Sequence, residues 1–110
     1  MVEDTPGEEF KPDPAMAHSM AELRQLLREY WGWAGELGSR RVAAASGEVF
    51  SHSTAAKLIA ADPNVPLRQE YVAGMIRGCG GSEADQQAWI TAFRRVRQAT
   101  RAPRLKVVGQ

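Results

Sequence analysis

The stretch Val42-Ala43-Ala44-Ala45-Ser46-Gly47-Glu48-Val49-Phe50-Ser51-His52-Ser53-Thr54-Ala55-Ala56-Lys57-Leu58 decides how this sequence is read. Val42, Ala43 and Ala45 are small enough for close helix packing, and Gly47 can take the left-handed conformation that ends a helix. Just upstream, Ser39 can cap a short helix over Arg40 to Ser46. Just downstream, Ser51 or Ser53 can cap another, running to about Ala60 with Ala55, Leu58 and Ile59 turned inward. Two short helices joined by a turn are therefore expected in the middle of the chain.

Working outward, Ser19-Met20-Ala21-Glu22 has the form of a capping box, with the serine hydroxyl accepting from the amide three residues on and the glutamate reaching back. Behind it, Leu23, Leu26, Leu27, Tyr30, Ala34 and Leu37 recur at helical spacing, with Arg24, Arg28 and Glu29 opposite. Gly32, Gly35 and Gly38 stop this helix between Trp33 and Leu37. Trp31 and Trp33 cannot both face one core, so one is expected to be partly exposed or to close over a neighbouring helix. On the other side, Asp62-Pro63-Asn64-Val65-Pro66 reads as a loop. A fourth helix is expected from about Leu67 to Gly78, with Leu67, Tyr71, Val72, Met75 and Ile76 as its apolar stripe. Cys79-Gly80-Gly81 breaks it. A fifth begins at Ser82-Glu83-Ala84-Asp85, buries Trp89, Ala92, Phe93 and Val96, and ends before Pro103. The fold class is all-α: a compact five-helix domain over residues 18–102, flanked by two tails.

Residues 1–17 hold Pro6, Pro12 and Pro14 with few large apolar residues, and are expected to form a disordered acidic tail. Before Ala15, Glu3, Asp4, Glu8, Glu9 and Asp13 face only Lys11; the other 13 of the 14 basic residues follow. Residues 103–110 form a short basic tail, in which Leu105, Val107 and Val108 add a small strand or nothing. A chain of 110 residues has room for one core. No apolar run approaches the roughly 20 residues of a membrane span, and Met1-Val2-Glu3-Asp4-Thr5 lacks the features of a secretory signal, so a cytoplasmic protein is expected. The one cysteine, Cys79, cannot form an internal disulfide and reads as a small buried residue. No nucleophile, base and orienting group come together, and no phosphate-binding loop precedes a helix. No enzyme activity, cofactor or metal is expected.

Three segments resemble the lambda-repressor-like (xenobiotic-response-element) helix-turn-helix family, in the form common among actinobacterial regulators. They are Ala21-Glu22-Leu23-Arg24-Gln25-Leu26-Leu27-Arg28-Glu29, the central stretch quoted first, and Pro66-Leu67 through Tyr71-Val72 to Cys79-Gly80-Gly81 with Trp89 beyond. Together they span about residues 19–100. The resemblance implies a helix-turn-helix at helices two and three, and a bacterial transcription regulator that binds double-stranded DNA. The recognition helix, about residues 51–60, would enter the major groove. It implies DNA contacts from Ser51, His52, Ser53, Thr54 and Lys57, with Ser39, Arg40 and Arg41 holding the backbone at the start of helix two. A homodimer is expected, because one short helix reads few base pairs.

The alternative is a protein-binding adaptor that keeps the fold without groove readout. Glu48-Val49-Phe50 lengthens the turn relative to the family, and Ile59-Ala60-Ala61-Asp62 follows helix three where the family tends to place basic residues. In that reading Tyr30, Trp31 and Trp33 form the contact surface, since aromatic residues are enriched at interfaces. Arg94-Arg95-Val96-Arg97 with Arg101 reads as a solvated basic face, or less readily as a secondary phosphate-binding patch.

Overall fold

The computed structural model describes the backbone of residues 11–108 and the side chains of residues 11–99. Among these it is all-helical: a 3-10 turn at Pro14–Met16 precedes α1 (Met20–Trp33), α2 (Ser39–Ala45), α3 (His52–Ile59), α4 (Gln69–Gly78) and α5 (Glu83–Val108). The helical spacings read from the sequence become the buried faces. Leu23, Leu27 and Tyr30 of α1, Val72, Met75 and Ile76 of α4, and Trp89, Ala92, Phe93 and Val96 of α5 share one core with Val42, Phe50, Ala55 and Leu58. Tyr30 meets Trp89 edge-on at 5.6 Å between ring centroids, a favoured aromatic geometry.

α4 packs against both α5 and α2. The approach to α2 depends on Gly78: a β-carbon there would lie 2.5 Å from the Val42 carbonyl oxygen and 2.9 Å from Val42 Cγ1. Backbones can come this close only where a side chain is missing.

Three of the five helix starts, those of α1, α3 and α5, carry the expected serine caps. Ser19 Oγ accepts from the Glu22 amide at 3.1 Å, while Glu22 Oε1 accepts from the amide of His18, one residue before the cap. Of the two candidate caps for α3, Ser51 is the one used: its Oγ accepts from the Thr54 amide at 3.2 Å, and the helix ends at Ile59. Ser82 Oγ accepts from the Asp85 amide at 3.1 Å at the start of α5. Ser39 is not a cap. The chain is already extended at Gly38 (φ −65°, ψ 153°), so Gly38 takes the cap position and Ser39 is the first residue of α2. α4 starts at Gln69 rather than Leu67, because Arg68 is still extended at φ −119° and ψ 157°.

Two further expectations are corrected. Residues 11–17 belong to the folded body: Pro14 and Ala17 are buried, and Arg95 Nη2 donates to the carbonyls of Pro14 and Ala15 at 3.3 Å each. The rest of the expected disordered tail, residues 1–10, lies outside the described residues. The stop before Pro103 is also absent, since α5 continues to Val108. Proline's fixed φ is helical, so a helix can run through it, at the cost of one backbone hydrogen bond and a clash with the carbonyl four residues back, about 3 kcal/mol.

Candidate nucleic-acid interface

The candidate interface rests on α2, α3 and the turn between them. Ser46 closes α2 and is 1% exposed. Its hydroxyl donates to the Ala43 carbonyl at 2.6 Å and accepts from the Val49 amide at 3.3 Å, so both of its roles are filled. Gly47 (φ +83°) and Glu48 (φ +63°) reverse the chain in the left-handed region, and their amides donate to the carbonyls of Ala44 and Ala43 at 3.3 Å each. Phe50, at the end of this turn, is buried and meets Tyr71 edge-on at 5.8 Å. The turn is therefore anchored in the core through Phe50.

α3 then has two distinct sides. Ala55 and Leu58 are buried; Ser51, His52, Ser53, Ala56 and Lys57 are exposed, and Thr54 is half-buried. Positions 52, 53, 56 and 57 fall on one side of a helix by their spacing. Ser51 and Thr54 also bond each other, hydroxyl to hydroxyl at 3.3 Å, so their oxygens are partly engaged by the cap. Arg40 and Arg41 are exposed and Ser39 is half-buried. The eight expected contact residues fall in two groups by element. Ser39, Arg40 and Arg41 sit on the first turn of α2, and the others sit at and beyond the first turn of α3. The length of α2, about 10 Å, separates the two groups along the chain.

The aromatic surface of the alternative reading is largely occupied. Tyr30 is 1% exposed and cannot serve as a contact. Its hydroxyl donates to Asp85 Oδ2 at 2.8 Å, and burial, followed by that carboxylate, holds the phenol well above its ordinary pKa. Trp31 is half-buried and donates from Nε1 to the Leu37 carbonyl at 2.7 Å, folding the residues after α1 back onto its last turn. Trp33, also half-buried, packs on Tyr30 at 5.3 Å and carries the Lys11 ammonium 5.4 Å above its ring. Local sequence gives no sign of these partners, because Lys11 and Asp85 are remote in the chain.

Arg94, Arg95 and Arg97 of α5 are exposed and each has a partner within the fold, while the side chain of Arg101 lies outside the described residues. Arg94 Nε donates to Gln69 Oε1 at 3.0 Å, Arg95 holds the carbonyls of Pro14 and Ala15, and Arg97 lies 5.2 Å over the Phe93 ring. Cys79 is buried, and burial pushes its thiol up to about 11, the opposite of a reactive thiolate. Among the described residues no group of three or more His, Cys, Asp or Glu could hold a metal ion, and no helix is long and apolar enough to cross a membrane. No protein-family profile, curated protein or solved structure matches the chain.

Proposed function

We propose that this chain is a cytoplasmic DNA-binding regulator in which α2 and α3 act as a helix-turn-helix, with α3 inserted in the major groove. The observation that carries the reading is the outward side of α3. His52, Ser53, Ala56 and Lys57 are exposed there while Ala55 and Leu58 anchor the opposite side in the core. That outward side has no acidic residue, its side chains are short at the helix start, and the helix dipole adds positive potential at the same end. Short polar groups admit close approach to base edges, and a lysine suits phosphate or guanine. Arg40 and Arg41 make no hydrogen bond or ion pair with another described residue, which leaves them for phosphates. The resemblance to the lambda-repressor-like family supports the same assignment, and a homodimer would double the short stretch one helix can read.

The test is binding of the purified protein to random-sequence duplex DNA at about 50 and about 200 mM salt, since phosphate contacts make affinity fall steeply with salt. Lys57→Ala and Arg40→Ala are each expected to weaken binding on every sequence and to lower the salt slope by about one. Absence of binding at the lower salt would overturn the proposal. Association with a protein that tolerates salt and is lost in Trp31→Ala or Trp33→Ala would then support the adaptor reading.

A further inference from the structure

We infer that Arg24 and Arg28 of α1 are positioning residues that fix the orientation of α3, so that the first helix sets how the third is presented. The inference rests on the DNA-binding reading only for what α3 is presented to. By sequence, both arginines belong to the polar side of α1, where cations are normally solvated. In the structure they reach across to the far end of α3. Arg28 Nη1 donates to the carbonyl of Ile59, the last residue of α3, at 3.0 Å. Arg24 Nη1 donates to the carbonyls of Asp62 and Val65 at 3.0 and 2.7 Å.

These acceptors are informative. The last carbonyls of a helix have no partner within it, and they carry the negative end of the dipole, so a guanidinium there is favoured by hydrogen bonding and by charge. Two turns of α1 thus hold three carbonyls over residues 59–65. The loop they hold is itself closed: Asp62 Oδ1 accepts from the Asn64 amide at 2.9 Å, and the Asp62 carbonyl also accepts from the Val65 amide at 3.3 Å. The start of α3 is set separately, by the Ser46–Phe50 turn and the Ser51 cap. An eight-residue helix fixed at both ends can neither roll nor tilt freely. Recognition of base edges needs placement to within a fraction of an ångström, which makes such bracing consequential for specificity.

The distinction between bracing and phosphate contact can be measured on the full chain with Arg24→Met, Arg28→Met and Arg28→Lys. Amide hydrogen exchange over residues 55–65 is expected to accelerate about tenfold in the methionine variants, the size of one charge-assisted hydrogen bond. Exchange in α4 and α5 should stay nearly unchanged. Arg28→Lys retains one donor for the Ile59 carbonyl and is expected to recover most of the protection. On DNA, the preference for a selected site over random sequence should fall about tenfold in the methionine variants with the salt slope unchanged. A salt slope reduced by about one per substitution would make the arginines phosphate contacts and overturn the inference. Uniformly faster exchange throughout the domain would overturn it too, as would unaltered exchange near α3. A wild-type chain that binds no DNA would remove the DNA-binding reading, while the exchange data would still decide the brace.

Discussion

Lys11 Nζ lies 2.9 Å from Asp85 Oδ2 and 3.1 Å from Asp85 Oδ1, a bridge between residues 74 positions apart. Both side chains are less than a third exposed, so this pair is better shielded than an ordinary surface ion pair. The same carboxylate accepts from the buried Tyr30 hydroxyl, and the Lys11 ammonium also faces the Trp33 ring. One carboxylate therefore joins the proline-rich segment, the end of α1 and the start of α5. Asp85→Ala is expected to destabilise the fold by about 1–3 kcal/mol, because it leaves the Tyr30 hydroxyl buried without its acceptor. Lys11→Ala should cost less, about 0.5–1 kcal/mol. Urea unfolding of the two variants checks the order, and equal costs would mean that the Tyr30 bond contributes little.

The same carboxylate carries a pH dependence. Burial works to raise the Asp85 pKa, but the hydrogen bonds from Lys11 and Tyr30 and the Lys11 charge outweigh it and hold the group below its ordinary value. A carboxyl lowered in the folded state stabilises fully above its unfolded pKa, about 3.9, and that contribution is lost as pH falls through the lower folded value. The stability difference between wild type and Asp85→Asn should thus be constant near neutrality and shrink below about pH 4. Unfolding curves at pH 7 and pH 3 read it directly, and a difference that grew on acidification would contradict the assignment.

What is legible in the sequence is whatever is local. Ser19 with Glu22, the spacing of Leu23, Leu27 and Tyr30, and the break at Cys79-Gly80-Gly81 each carry their signal within one or two turns. The exposed side of α3 follows from Ala55 and Leu58 by the same periodicity. The differences between expectation and structure are at long range or at ends. Pro12 and Pro14 give residues 11–17 the composition of a tail, yet Lys11 and Arg95 tie them to α5 through partners that no local pattern announces. Ser51 and Ser53 precede the same apolar positions, so periodicity alone cannot choose which of them caps α3. Arg24 and Arg28 do lie on the polar side of α1, but the carbonyls that occupy them come from a segment more than 30 residues away.

The ends of α1, α2, α3 and α4 share one hydrogen-bond pattern, and only α3 lacks the residue that suits it. The backbone amides of Glu36, Glu48, Asp62 and Gly81 donate to the carbonyls of Trp31, Ala43, Lys57 and Ile76, each reaching back to the last turn of its helix. The preceding left-handed position is Gly35, Gly47 and Gly80 in three cases, and Ala61 (φ 57°) in α3. A β-carbon in that region is strained, partly offset by the lower entropy of an unfolded alanine. Ala61→Gly is therefore expected to stabilise the protein by about 0.5–1 kcal/mol. A higher urea midpoint with an unchanged m-value would be the result; a lower midpoint would show that unfolded-chain entropy dominates at this position.

Two glycines with negative φ separate close packing from mere helix propensity. Gly78→Ala would press its methyl against the Val42 carbonyl and Cγ1, and neither can move away as a flexible side-chain end could. A loss of about 1–3 kcal/mol is expected, the usual cost of overpacking. At Gly32, within the last turn of α1, an added methyl would meet nothing within 4 Å. Gly32→Ala should instead gain up to about 1 kcal/mol from helix propensity. Thermal or urea unfolding of both variants tests the contrast, and a tolerated Gly78→Ala would mean that α2 and α4 separate more easily than their contact implies.

The two serines at the start of α3 separate a test of folding from a test of the proposed DNA binding. Ser51 accepts from the Thr54 amide and is the cap, so Ser51→Ala should cost about 1 kcal/mol of stability. Ser53 is exposed within the first turn and is not the cap, so Ser53→Ala should leave stability within about 0.5 kcal/mol of wild type. If α3 reads the major groove, Ser53→Ala weakens binding to the preferred DNA site at a protein concentration where both variants are fully folded. Stability from urea curves and affinity from fluorescence anisotropy, measured on the same preparations, give the two axes. A Ser53→Ala protein that kept its full affinity would take Ser53 out of the recognition surface and leave His52, Ala56 and Lys57 to carry it.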